Sequence, residues 1–126
     1  MDLHIDTETK FNEVQSAFNK AYPFLKLEFF TKNNFKKNDP SARKSIPARK
    51  KLGDYTTSPF KTTIEINEEM TVAELEKILK ELLLIDVQVY RRSENLWLQT
   101  TITDKWSLKK QNEHGMETSL PHKDLY

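Results

Sequence analysis

The chain has 126 residues, of which 37% are hydrophobic and 31% charged, and this length suits one domain with one hydrophobic core. It has no cysteine, which excludes disulfide bonds, thiol nucleophiles and zinc knuckles, and no apolar run reaches the roughly 20 residues that a membrane helix needs. The net charge is only +1, but the stretch from Lys36 to Lys51 holds seven cations against one anion, Asp39.

The N-terminal part predicts one helix followed by one strand. The helix spans Lys10 to Tyr22, where apolar residues recur at spacings of three and four. Thr7 or Thr9 is expected to cap its start, and Pro23 ends it because proline lacks a backbone donor. The strand spans Phe24 to Thr31, where apolar and polar residues alternate.

A long loop is predicted from Asn33 to Phe60, where no periodicity persists and three prolines occur. Compact domains rarely keep a loop of more than about 15 residues, so this segment is expected to be mobile, to be functional, or to hide a short helix near residues 48–52. Its cations are Lys36, Lys37, Arg43, Lys44, Arg49, Lys50 and Lys51.

The central part predicts a strand and the clearest helix of the chain. Residues 62–66 alternate as a second strand, and Thr71 with Glu74 forms a capping box at the start of a helix over residues 72–83. The apolar stripe of this helix is Val72, Leu75, Ile78, Leu79, Leu82 and Leu83. The residues expected to face water are Glu74, Glu76, Lys77, Lys80 and Glu81.

A β-hairpin and a short last helix are predicted towards the C-terminus. The strands 86–91 and 96–102 are joined by a tight turn, and a two-residue turn at Ser93 and Glu94 places Tyr90 opposite Trp97. The helix begins near Asp104 or Ser107 and ends at Gly115, which suits a left-handed position.

The predicted fold class is α+β, with a four-stranded mixed sheet packed by a central helix in a ββαββ core. Helices flank this core at both ends of the chain. The second and third strands are expected to be parallel and joined by a right-handed crossover. We expect residues 1–115 to form a single domain with the long basic loop at 33–60, and residues 116–126 to form a disordered tail.

Two resemblances follow from these motifs. Ile64, Ile66 and the run Met70-Thr71-Val72-Ala73-Glu74-Leu75 resemble the first half of a ubiquitin-like β-grasp domain. Modifiers and sulfur carriers of that family end in Gly-Gly, whereas this chain ends Lys123-Asp124-Leu125-Tyr126, so the resemblance implies a β-grasp-like fold without conjugation or sulfur transfer. Taken end to end, through the runs at 87–91, 95–98 and 103–106, the chain resembles a family of small uncharacterised bacterial proteins, and this resemblance implies no activity.

No constellation of residues predicts catalysis. His4, His114 and His122 lack the helical i, i+4 spacing of a metal pair, and two glycines cannot build a nucleotide-binding loop. No serine lies in a nucleophile elbow. Acidic side chains next to strand ends and helix starts usually cap backbone donors, and Asp86, Glu94 and Asp104 are interpreted in this way. We therefore predict no enzyme activity, no catalytic residues, no metal and no cofactor.

Two candidate contact surfaces remain. The first consists of Tyr90, Arg91, Arg92 and Trp97 on the hairpin, which are residue types that often anchor protein interfaces, unless a terminal helix covers them. The second is the basic loop, whose cations can neutralise phosphates. We expect a non-enzymatic protein-binding or adaptor domain, with a nucleic-acid-binding module using residues 36–51 as the alternative. The protein is expected to be a cytoplasmic monomer that has an unidentified protein partner and does not bind membranes.

Overall fold

The computed structural model describes residues 1–31 and 43–119. The helices in this part of the chain are α1 (Phe11–Ala21), α2 (Val72–Leu83) and α3 (Leu108–Ser119), with a short 3₁₀ helix at Leu52–Asp54. The strands are β1 (Asp2–Asp6), β2 (Leu25–Thr31), β3 (Lys44–Ser45), β4 (Lys61–Glu65), β5 (Asp86–Ser93) and β6 (Leu96–Gln99). The α+β class and the two flanking helices agree with the sequence-based prediction.

The strands form two separate antiparallel sheets. One has four strands in the order β3-β2-β5-β6, and the other consists of β1 and β4. The prediction of a mixed four-stranded sheet is therefore wrong, because β4 and β5, on either side of α2, belong to different sheets. The physical reason is β1, which was not predicted. It pairs with β4 over five residues, from Asp2 opposite Glu65 to Asp6 opposite Lys61.

A single core joins the two sheets. Leu3 and Ile5 of the small sheet and Leu27 and Val89 of the large sheet belong to one cluster of buried apolar side chains, each 4% exposed or less. Of the predicted apolar stripe of α2, Val72, Leu75, Leu79 and Leu83 belong to the same cluster and Leu82 packs against it, whereas Ile78 is exposed. Burial of these side chains is the main favourable contribution to folding, at about 25 cal/mol per Å² of apolar surface.

The first backbone N–H groups of α2 and α1 find their hydrogen-bond acceptors in different ways. The N–H of Glu74 donates to Thr71 Oγ1 at 3.1 Å, which confirms Thr71 as the cap of α2. Of the two bonds of the predicted capping box, this is the one found among the described residues. The start of α1 has no side-chain cap, contrary to the prediction for Thr7 or Thr9. Its free backbone N–H groups instead donate to backbone oxygens of the basic loop. Phe11 N–H donates to Lys50 O, and Asn12 N–H donates to Ala48 O. These bonds fix residues 48–50 against α1.

The predicted long loop and the predicted end of the last helix both differ from the structure. The predicted loop contains β3 and the 3₁₀ helix at Leu52–Asp54 within its described residues, 43–60. The last helix continues through Gly115 to Ser119 rather than ending at Gly115. The remaining residues of the predicted tail, 120–126, lie outside the described residues.

Candidate functional site

The large sheet has one face that carries polar and aromatic side chains. Alternation along the strands directs apolar residues such as Leu27 and Val89 towards the helices, and both are at most 1% exposed. The other face includes the buried Gln88, and we give the name open face to the half-buried and exposed side chains around Tyr90 on that face. The open face consists of Lys26, Glu28, Tyr90, Arg92, Trp97 and Gln99.

The hairpin register differs from the prediction by one residue in the turn. The turn residues are Glu94 and Asn95, so Tyr90 lies opposite Gln99 and Trp97 lies opposite Arg92. Glu94 has a φ of 54°, in the left-handed region, which is typical of a turn residue and not of a strand residue. Moving the turn by one residue shifts each cross-strand partner by two, so the predicted face of Tyr90 and Trp97 is retained.

Lys26 links the two aromatic rings of the open face. Its Nζ lies 4.9 Å from the ring centroid of Trp97 and 5.6 Å from that of Tyr90. The same Nζ is 3.4 Å from the carboxylate of Glu28. Partly exposed cation–π contacts of this kind contribute about 0.5–1 kcal/mol each. A lysine side chain therefore covers part of both rings.

A shallow hollow of about 300 Å³ lies between the open face and α1. Its lining residues are Gln15, Ser16, Asn19, Lys26, Leu27, Glu28 and Trp97. Two side chains of α1 fix the wall, because Gln15 Nε2 donates to Leu27 O at 3.0 Å and Asn19 Nδ2 donates to Leu25 O at 2.8 Å. These bonds also cover the edge of β2, which would otherwise present free carbonyl groups.

Arg91 does not belong to the open face, although it was predicted as part of the contact surface. It follows Tyr90 along β5 and therefore points to the helix side, where its Nη1 donates to Gln111 Oε1 at 2.7 Å. Arg92 is exposed on the open face, and its Nε donates to Glu94 O at 2.9 Å. The structure thus brings together Tyr90, Arg92 and Trp97 and separates Arg91 from them.

The basic segment is only partly described. Lys36 and Lys37 lie outside the described residues. Arg43 stacks over Phe30, with its guanidinium carbon 4.3 Å from the ring centroid. Lys51 Nζ is 2.6 Å from Glu8 Oε2, and this contact raises the pKa of Lys51. The exposed cations that remain are Lys44, Arg49 and Lys50.

Glu76 is half-buried and makes a contact that the sequence did not reveal. It was predicted to face water, but its Oε2 accepts the Val89 N–H at 2.9 Å, beyond the end of β6. Burial raises its pKa above the ordinary value, while the hydrogen bond from Val89 acts in the opposite direction. Because Glu76 lies on the polar side of α2, the sequence pattern did not indicate that it accepts a hydrogen bond from Val89. The same side of α2 borders a shallow depression of about 420 Å³ that also includes Asp104.

Residues that can ligate metals do not converge in the described part of the chain, where no group of three His, Asp or Glu side chains is placed to hold an ion. His4 Nδ1 lies 2.8 Å from Thr63 Oγ1, and His114 packs edge-on against Trp106. His122 lies outside the described residues. None of the helices in residues 1–31 and 43–119 is long and apolar enough to cross a membrane.

Comparison with known proteins returned no relative. No protein-family model, no curated protein and no solved structure matches the chain. The resemblances to the β-grasp domain and to small bacterial proteins therefore remain predictions from the sequence.

Proposed function

We propose that this chain is a non-enzymatic protein-binding domain, an adaptor that holds a segment of a partner protein against the open face. The observation that supports this most directly is the position of Trp97, which is half-buried beside Lys26 at the rim of the hollow. Tryptophan, tyrosine and arginine are the residues most often found at the energetic centre of protein interfaces. Trp97, Tyr90 and the exposed Arg92 are these three types on one face.

The contacts of the two rings favour a protein over a nucleic acid. A nucleobase would have to stack on the face of an aromatic ring, and such stacking contributes about 1–3 kcal/mol per base. Lys26 already lies over Trp97 and Tyr90, and Arg43 lies over Phe30. A base would have to displace these cations, whereas a partner side chain can enter the hollow beside Trp97 and leave them in place.

Nucleic-acid binding through the basic segment is the second candidate. The observation in its favour is that Lys44, Arg49 and Lys50 are exposed, and that the backbone of residues 48–50 is fixed by α1. Glu8 neutralises Lys51, which weakens this candidate. The predicted cytoplasmic location and monomeric state belong to both candidates as expectations from the sequence.

The test is a comparison of immobilised variants that capture partners from cell extract. We expect one or more specific proteins to bind the wild type and to be lost when Tyr90→Ala and Trp97→Ala are combined, because the two anchors of the interface are removed. The matched control is Ile102→Ser, which removes a side chain that is 99% exposed and lies outside the open face. Circular dichroism establishes that each variant is folded.

The salt dependence of capture separates the two candidates. Phosphate contacts are lost steeply as ionic strength rises, whereas an aromatic interface is weakened little. Retention of the same proteins by the Tyr90→Ala, Trp97→Ala variant would refute the proposed interface. Capture of RNA or single-stranded DNA at low salt, lost in a variant with Lys44, Arg49 and Lys50 changed to Gln, would support the second candidate instead.

A further inference from the structure

A cluster of positively charged groups surrounds Trp106 on the helix side of the large sheet. Lys110 Nζ lies 4.3 Å from the centroid of the Trp106 ring, and the guanidinium carbon of Arg91 lies 5.5 Å from it. The ring of His114 meets the same indole edge-on at 5.4 Å. We call Arg91, Trp106, Lys110 and His114 the Trp106 cluster. It is separate from the open face.

Arg91 is held rigidly in this cluster. Its Nη1 donates to the Oε1 of Gln111, whose side chain is fully buried and whose Nε2 donates in turn to Thr103 O at 2.7 Å. Gly115 allows α3 to approach, because a Cβ at this position would lie 3.1 Å from Arg91 Cγ. The Nε of Arg91 is buried and has no hydrogen-bond partner in the described residues.

The charge of Arg91 is also uncompensated. Among residues 1–31 and 43–119, no carboxylate lies within 4.0 Å of Arg91 or Lys110, and the only acidic contact of the cluster is Glu117, at 4.0 Å from His114 Nδ1. Burial is the one cause that lowers the pKa of the Arg91 guanidinium, with no opposing contribution from an acid. A partly desolvated cation without a counter-charge is unfavourable, and a bound anion would relieve this cost.

We propose that the Trp106 cluster binds a phosphate group, either as the free ion or as a monoester. A guanidinium offers planar paired donors that match a tetrahedral oxyanion, and a lysine ammonium adds a second point charge. Arg91 and Lys110 both lie over the ring of Trp106, and the imidazole N–H of the neighbouring His114 is a third donor. The two permanent positive charges match the charge of a phosphate dianion near neutral pH.

The test uses the fluorescence of Trp106. The chain has two tryptophans, so Trp97→Phe leaves Trp106 as the only one. In this background we expect a saturable fluorescence change on addition of inorganic phosphate or O-phosphoserine, with ionic strength kept constant by sodium chloride. Lys110→Gln should weaken this binding about tenfold, the usual effect of losing one charge-assisted contact. Lys109→Gln is the matched control, since Lys109 is an exposed neighbour on the same helix.

A second measurement does not depend on any substitution at the site. In ¹⁵N-labelled wild-type protein, the Nε–H resonance of Arg91 should shift on addition of phosphate, because this N–H belongs to the guanidinium that contacts the ligand in the proposal. Tighter binding of O-phosphoserine than of inorganic phosphate would identify the ligand as a monoester, and the reverse order would identify the free ion. Equal affinities of the Lys109→Gln and Lys110→Gln proteins, an unsaturable signal, or an unmoved Arg91 resonance would each overturn the proposal.

Discussion

At the scale of single residues, Glu76 shows how a tertiary contact changes the chemistry of a side chain. β6 ends at Gln99, and the backbone of Val89 then lacks a strand partner on that side. Thr100 Oγ1 donates to Val89 O at 2.8 Å, and Glu76 Oε2 accepts from Val89 N–H at 2.9 Å. Gln88 Nε2 also donates to Val89 O, at 3.0 Å, so side chains complete the edge of β5 where the neighbouring strand stops.

The raised pKa of Glu76 predicts a pH-dependent effect of Glu76→Gln. A carboxyl whose pKa is higher in the folded than in the unfolded chain stabilises the protein fully below its unfolded value, near 4.5, and loses this contribution as the pH rises through the folded value. Glutamine keeps an acceptor for Val89 N–H and does not ionise. The free energy of unfolding of Glu76→Gln relative to wild type should therefore increase between about pH 4 and pH 7.

Urea unfolding at both pH values checks this prediction. The control is Glu81→Gln, an exposed glutamate on the same helix, which should show no such trend. A difference between Glu76→Gln and wild type that does not change with pH would contradict the assigned burial of Glu76.

At the scale of elements, the position of α3 depends on a close approach at Gly115. A Cβ at this residue would lie 2.9 Å from Phe24 Cβ and 3.1 Å from Arg91 Cγ, and both of these atoms are near the backbone of their residues. Phe24 Cβ cannot move away without shifting the backbone next to the start of β2. The glycine thus lets α3 pack onto the strands, although glycine is a poor helix former.

Whether Gly115→Ala raises or lowers the free energy of unfolding tests this packing. In an exposed helix the substitution would stabilise the protein by about 1 kcal/mol, through helix propensity alone. Overpacking at a tight contact costs about 1–3 kcal/mol, so we expect a net loss of stability in urea denaturation. Glu113→Ala, at an exposed position on α3, should change stability by less than about 0.5 kcal/mol. A Gly115→Ala protein more stable than wild type would refute the close approach.

The hairpin illustrates what alternation does and does not specify in an element. Alternation in β5 and β6 placed Tyr90 and Trp97 on one face, and the structure confirms this. The same pattern is compatible with a turn at Ser93–Glu94 or at Glu94–Asn95, because the two registers expose identical faces. The C-terminus of α3 also contacts the turn, where Glu94 N–H donates to Thr118 O, and no local pattern contains that bond.

At the scale of the whole molecule, the two sheets share one core and should unfold together. Ile5 of β1 is 3% exposed and belongs to the same cluster as the apolar side chains of the large sheet. Ile5→Ala should lower the free energy of unfolding by about 2–5 kcal/mol through lost burial and a residual cavity. The fluorescence of Trp97 and Trp106, neither of which belongs to β1 or β4, should report this loss in full.

Far-ultraviolet circular dichroism provides the comparison for that experiment. Coincident transitions by fluorescence and circular dichroism are expected for a single cooperative unit. An Ile5→Ala protein whose fluorescence midpoint matches that of wild type, while its circular dichroism midpoint falls, would show that the small sheet unfolds independently.

The amino-acid sequence by itself determined the local features of this protein. The periodicity of α1 and α2, the capping residue of α2, the alternation of β2 and the face shared by Tyr90 and Trp97 are properties of neighbouring residues. A single segment of the chain therefore contains the information for each of them. The tertiary structure alone decided that β4 pairs with β1, that Glu76 meets Val89, and that Arg91 joins Trp106 and Lys110. Those contacts join residues distant in the chain, and their free energy depends on which segments the core brings together rather than on the pattern within any one of them.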